Sequence, residues 1–555
     1  MGDARSSLTG ESGKQRTPWR GQANREMAVI VSEGVPALIT TLDTVTTKLC
    51  REGSGDAHPP IELFRPPDEA PKVVVQRGGI VMTVAQQPGS TIPDSVETRL
   101  GTLRYEVGCP TLETTRKLYD EMDFQRAVQA YLWGYPAVSF ESIRLTAKRD
   151  LGMDFNDLGI ADNFVDPKSA WLTANDTTIY AFVNIDVAQG PVVIQIPPGA
   201  IVGLLDDFWQ RSLADVGLPG PDGANGGKFL LLPPGYDGEV PASGYHPLRA
   251  TMNNHNLLVR GLIVDNDVPD AVQRIRNVKV YPWSEREDPK PNKFVSISGK
   301  PIDTTPPGGI EYWARLASVI DNNPVQEHDR FFMAMLKPLG IEKGKPFQPD
   351  ARQTAILEEA AALGDAMARN VMYEGSQRVS DATAFPGTHW DWVILVKPTQ
   401  ETEHYSQLDE RLQYTYGAIY LSPSIGVMRP GPGANYVQTF RDKEGNHFDG
   451  GRSYRLHVPA NPPASAFWSL TLYDTATRSM VQNPTNDAAH SSYDELKTNA
   501  DGSLDLYFGP TAPPGQESNW IETVPGRGFY PMFRFYSPTA PLFDGTWALP
   551  DVEQM

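Results

Sequence analysis

The chain has 555 residues, of which 68 are acidic and 49 basic, for a formal net charge of −19. That balance opposes binding to phosphate backbones and anionic membrane surfaces, so it argues against nucleic acid and membrane as partners. The length exceeds the roughly 250–300 residues at which single cores stop growing, so two domains are expected.

Only Cys50 and Cys109 are present, which rules out a disulfide scaffold or a cysteine-rich zinc site and leaves open a single bridge or two free thiols. The first 26 residues lack an apolar h-region, which predicts no secretory signal and a cytoplasmic protein. No run approaches the roughly 20 apolar residues of a membrane-spanning helix. The 49 prolines and 48 glycines are spread along the chain and suit a loop-rich β protein.

In chain order, residues 1–70 read as a polar tail with HPP and RPP breaks and one helix over 27–49. Across 110–140, Leu118, Met122, Ala127, Val128 and Leu132 recur at helical spacing until Gly134 and Pro136 end the run. Residues 171–193 alternate as strands, 190–199 read as a strand closed by a turn, and 227–232 and 257–264 as further strands, the last an apolar run suited to burial. Helical periodicity marks 310–320, 325–336 and 352–372, with Asp350 as an N-cap, and a last helix covers 404–420. Strands then follow at 435–441, 453–458, 466–473, 503–508 and 530–535.

The last hundred residues carry the clearest pattern. In PPASAFWSLTLYD (462–474), Trp468, Leu470 and Leu472 share one face while Phe467, Ser469, Thr471 and Tyr473 share the other. Asp501-Gly502 supplies the positive φ of a tight turn before DGSLDLYFGP (501–510). In NWIETVPGRGFYPMFRFYSP (519–538), Arg534 lies among Tyr530, Met532 and Tyr536, opposite Phe529, Phe533 and Phe535.

Together with RLGTLRYEVGCPTLETTRKLYDEMDFQRAVQAYLWGYPAVS (99–139) and LTANDTTIYAFVNIDVAQGPVVIQIPP (172–198), these motifs resemble a two-domain family of unknown function that joins a DUF1254 domain to a DUF1214 domain. The resemblance runs from about residue 70 to the end. It implies a mainly β protein of two jelly-roll-like antiparallel sandwiches with helical connections, assembled as a homo-oligomer. The expected layout is a tail to 70, a first sandwich over 71–300, a helical linker or lid over 301–420 and a second sandwich over 421–555. Many members carry an export signal, from which this chain departs.

Several chemistries lack their motif: there is no G-x-S-x-G elbow, no phosphate-binding P-loop and no G-x-G-x-x-G after a strand. The nine histidines form no H-x-H or H-x-x-x-H, which disfavours a cupin-like metal centre, although His447 and His457 on neighbouring strands could meet. No metal is assigned and the cofactor is left unknown.

The leading polar cluster is Asn175, Asp176, Thr177 and Tyr180 at the start of a strand. Asp176 and Tyr180 are the candidate catalytic residues, with Asn175 and Thr177 on substrate. Turn-local bonding by Asn and Asp explains the same residues equally well. A second set, Trp468, Tyr473, Asn519, Trp520, Arg534 and Tyr536, offers an arginine for a carboxylate or sulfate between aromatic rings. Its bland reading pairs Arg534 with Asp474 or Asp505 inside an aromatic core. Asp206 and Asp207, beside Trp209 and Arg211, point to opposite faces of a strand, so one of them is expected in solvent.

The sequence reads as an enzyme acting on a small organic molecule or short polymer fragment, with hydrolysis as a candidate chemistry. The alternative is a non-catalytic ligand-binding or assembly protein.

Overall fold

A computed structural model of the chain describes residues 93–425 and 428–555. The polar tail, the helix expected over 27–49 and Cys50 lie outside the described residues, and Cys109 is an exposed free thiol. The protein is mainly β: five sheets are accompanied, among the described residues, by six α-helices. None of these helices is long and apolar enough to cross a membrane.

A six-stranded sheet carries, in spatial order, Phe294–Ser296, Leu158–Ile160, Ile179–Asp186, Asn254–Gly261, Ile201–Asp207 and Ser212–Gly217. A four-stranded sheet of His246–Arg249, Gly227–Leu232, Val192–Ile196 and Lys279–Pro282 shares an apolar core with it. The two-residue period of a strand decides what faces where. Ile179, Ala181, Val183 and Ile185 enter that shared core, whereas Tyr180 and Phe182 enter a second and larger one. The six-stranded sheet is thus buried on both faces, which is why its strands read as near-continuous apolar runs.

The second core continues into a five-stranded sheet, ordered Trp390–Trp392, Ala434–Thr439, Phe529–Pro538, Ala464–Asp474 and Ala489–Ser491. A four-stranded sheet of Trp520–Glu522, Leu504–Gly509, Tyr454–Val458 and Glu553–Gln554 completes this half. Trp468, Leu470 and Leu472 enter the core as their alternation required. Pairing is mostly antiparallel, but Phe294–Ser296 with Leu158–Ile160, His246–Arg249 with Gly227–Leu232, and Leu504–Gly509 with Trp520–Glu522 run parallel.

The helices are α1 (Leu112–Leu151), α2 (Val268–Arg276), α3 (Gly309–Asn322), α4 (Arg330–Leu336), α5 (Ala351–Tyr373) and α6 (Leu408–Gly417). The expected stop at Gly134 and Pro136 is overturned, since α1 runs for 40 residues, from the Thr111 cap to the left-handed Gly152. Proline removes one helical hydrogen bond and pushes away the carbonyl four residues earlier. Tertiary donors serve the carbonyls beside that one: the Tyr312 hydroxyl reaches the Tyr131 carbonyl at 2.6 Å and Arg411 reaches that of Trp133 at 2.8 Å. Gly134 is needed for another reason, because a Cβ there would stand 3.0 Å from Leu316 of α3. Helix α2 has no counterpart in the sequence reading, although Asp267 caps it by accepting from the Asp270 amide.

Candidate functional site

The loop ahead of the strand Ile179–Asp186 separates the residues that the sequence places together. Asn175 is buried, and its Oδ1 accepts from the Thr177 amide at 3.1 Å and the Thr177 hydroxyl at 2.9 Å, which is the turn-local role of an asparagine. Its Nδ2 donates to the phenol oxygens of Tyr180 at 2.7 Å and Tyr536 at 3.1 Å. Tyr180 lines a small cavity between the six-stranded and five-stranded sheets. Asp176 and Thr177 line a different and larger hollow.

That larger hollow is a cleft of about 960 Å³, walled by Asp176, Asp487, His490, Asp494 and Glu495 among others. Burial, then the charge of Asp487, pushes the half-buried Asp176 carboxyl up to about 6, against the opposing pull of its own backbone and of Arg534. Asp494 moves the other way. Burial would raise it, but His490 and the Ser491 amide, which donates at 2.7 Å, hold it below the usual carboxylate range. His490 places Nδ1 3.6 Å from Asp494 and Nε2 3.2 Å from the Trp520 carbonyl oxygen. Among the described residues no group of three or more His, Cys, Asp or Glu side chains is arranged to hold a metal.

The small cavity measures about 50 Å³ and takes Arg534, Arg260, Tyr180, Tyr436 and Asn175 into its wall. Arg534 is 2 % exposed. It donates to the Thr471 hydroxyl at 2.7 Å, to the Thr173 carbonyl at 3.1 Å and to the Tyr473 phenol oxygen, and its guanidinium stands over the Tyr436 and Tyr473 rings. The expected carboxylate partners are engaged elsewhere, Asp474 with Arg527 at 2.5 Å and Asp505 with His457 at 2.9 Å. Burial raises the Tyr473 phenol to about 12 despite the neighbouring Arg534, so it stays a protonated donor and passes its hydrogen to the Ala174 carbonyl at 2.5 Å.

Arg260 was not singled out by the sequence reading. It sits in the strand Asn254–Gly261 directly opposite Tyr180 and is hydrogen-bonded to Tyr436. A charge inside the otherwise apolar run 257–264 was the available signal.

The remaining sequence candidates stand apart from both hollows. Trp468 stacks on Phe533 at 5.2 Å between ring centres and is core. Trp520 is half-buried at a sheet edge and donates to the Gly509 carbonyl at 2.8 Å, and Asn519 bonds the backbone of Lys497 and Asp505. His447 meets the Phe440 carbonyl rather than His457. The expectation that Asp206 or Asp207 is solvated fails, because both faces of their sheet are covered and both residues are buried. Asp207 accepts from the amides of Trp209 and Arg211. Asp206 accepts from the Leu421 amide at 2.9 Å, and burial holds its carboxyl well above the usual range.

A comparison with curated proteins finds no match. Among solved structures, the VPA0106 protein from Vibrio parahaemolyticus is 21% identical and superposes with a TM-score of 0.50, over 78% of this chain and 100% of that one. An uncharacterized protein from Burkholderia cenocepacia is 12% identical, with a TM-score of 0.37 over 79% of this chain and 97% of that one. The likeness to the Vibrio protein is one of fold. Residues 155–282 match the family described as protein of unknown function DUF1254, and residues 433–540 match the one described as protein of unknown function DUF1214. The two matched segments follow one another in the order DUF1254 then DUF1214, and the walls of both hollows draw on both of them.

Proposed function

We propose that the protein is an enzyme that hydrolyses a small organic molecule or short polymer fragment in the 960 Å³ cleft, with Asp176 as the proton donor. The observation that carries this reading is the pair of carboxyls in one cleft, Asp176 raised and Asp494 lowered. Two acids whose surroundings push them apart can split the roles of acid and base. Asp176 keeps its proton into the weakly acidic range and gives it to the leaving group, while ionised Asp494 takes one from the attacking water. The acidic wall favours a neutral or cationic substrate, because an anion would be repelled.

The architecture that goes with this reading is a pair of jelly-roll-like sandwiches over 71–300 and 421–555 with a helical segment over 301–420. The core shared by the six-stranded and four-stranded sheets supports the first of them. A homo-oligomer in the cytoplasm completes the proposal.

The test is a panel of esters, peptides and oligosaccharides assayed from pH 5 to 8. Turnover should fall on the alkaline side near pH 6 and be lost in Asp176→Asn while the melting temperature holds. Turnover that survives Asp176→Asn unchanged would overturn the assignment.

A further inference from the structure

The small cavity has a charge balance that its own residues do not close. Arg534 is buried and Arg260 half-buried, both line it, and among the described residues neither forms an ion pair with a carboxylate. The acids that sense them are committed elsewhere. Asp176, which feels Arg534, lines the neighbouring cleft, and Asp215, which feels Arg260, accepts from the Ser424 hydroxyl at 2.7 Å and its amide at 3.1 Å. An uncompensated buried charge is strongly destabilising.

The hydrogen-bond inventory points the same way. Asn175 donates to the oxygens of Tyr180 and Tyr536, which leaves the hydrogen of each phenol to be given away. No acceptor for either is found among the described residues. Burial raises the Tyr536 phenol, so it stays protonated. Two guanidiniums and the Tyr180 phenol around one hollow, with the Tyr536 phenol on the adjoining one, call for an anionic acceptor.

The shape narrows the class. At about 50 Å³ the cavity has room for roughly three to five water-sized groups, which suits a carboxylate head. A second hollow of about 90 Å³ shares Arg260 and Ile425 with it and is walled by Tyr536, Leu218, Leu262, Ala434 and Phe467. The Arg534 and Tyr180 donors line the first hollow and Leu218, Leu262 and Phe467 the second, which describes a site for a carboxylate bearing a short apolar tail.

We propose that the cavity between the two sheets binds a small organic carboxylate, with its head on Arg260 and Arg534 and its tail among Leu218, Leu262 and Phe467. This site is separate from the Asp176 cleft and stands whether or not the cleft is catalytic. Because arginine stays charged at all relevant pH values, binding should persist from pH 6 to 9.

The experiment is calorimetric titration and thermal melting of the full chain with four probes: sodium butyrate, sodium acetate, sodium sulfate and butylamine. Butyrate should bind and raise the melting temperature, acetate should bind at least several-fold more weakly, and butylamine should do neither. Arg260→Met should fold and lose butyrate binding. Should that variant fail to fold, Tyr436→Phe, which removes the phenol that Arg260 bonds, should weaken butyrate roughly tenfold. No binding of butyrate, equal binding of butylamine, binding of sulfate alone, or butyrate binding unchanged in the folded variants would each overturn the proposal.

Discussion

Asn175 reaches across 361 residues of sequence to donate from Nδ2 to the Tyr536 phenol oxygen at 3.1 Å. That bond ties the loop in front of the DUF1254 segment's central strand to the last long strand of the DUF1214 segment. The same side chain holds its own loop through Thr177 and reaches Tyr180.

Removing the amide of Asn175 leaves several buried groups without a partner, and each orphaned group costs on the order of 1–3 kcal/mol. Asn175→Ala should therefore destabilise the protein by about 3 kcal/mol in urea denaturation, against about 1 kcal/mol for Tyr536→Phe, which keeps the ring but loses the acceptor oxygen. Equal and negligible effects in both would show that the bridge does not hold the two segments together.

Much of the β framework was legible in the residues. Within the runs at 462–474 and 519–538, residues 464–474 and 529–538 become the long paired strands Ala464–Asp474 and Phe529–Pro538. The capping box at Asp350 and Gln353 opens α5 where the local pattern placed it. What escaped has a common cause, which is that distant chain supplies the missing half of the physics. Pro136 reads as a helix stop because Tyr312 and Arg411, which serve carbonyls beside the break, lie far away in sequence. Asp206 and Asp207 read as one solvated and one buried residue because a single strand cannot show that both faces of its sheet are covered. The cluster 173–180 was found as a group, but only the fold sends Asp176 to one hollow and Tyr180 to another.

Helix α5 passes α1 at Gly364, where an added Cβ would lie 2.4 Å from a ring carbon of Tyr131. The Tyr131 ring cannot easily give way, since it stacks on Tyr312 with 4.0 Å between centres. Gly364→Ala should improve helix propensity by about 1 kcal/mol and still lose stability, because overpacking a tight crossing costs about 1–3 kcal/mol. A variant more stable than the parent in thermal melting would mean that the helices separate without penalty.

Burial raises the Asp206 carboxyl well above the usual range, so the folded protein holds this proton to higher pH than the unfolded chain does. Above the unfolded value near 3.9, the folded state binds the additional proton, so this residue lowers stability as pH rises, by about 1.4 kcal/mol per pH unit while the folded form stays neutral. Asp206→Asn keeps an acceptor for the Leu421 amide and has no proton to hold. The variant should be more stable than the parent at pH 8 and nearly equal to it at pH 4, in paired denaturation curves. A loss of stability at pH 8 would mean that the carboxylate is ionised and compensated in the fold.

His255 works in the opposite direction. It is fully buried, neither ring nitrogen makes a full hydrogen bond, and burial lowers its pKa to about 4, with the Asn253 backbone offsetting the shift only in part. Between the unfolded value of about 6.5 and the folded value, the unfolded chain takes up a proton that the folded one refuses, so stability is full above that window and falls as pH drops through it. The drop to about 4 from the ordinary value amounts to about 3 kcal/mol. His255→Leu removes this component, and the gap between variant and parent should widen in the variant's favour from pH 7 to pH 4. Taking the difference is essential, because Asp176 and Asp391, each raised to about 6, hold their protons in the folded state and push the parent's stability the other way over the same range. A gap that stays constant with pH would show that the imidazole is already charged and partnered in the folded protein.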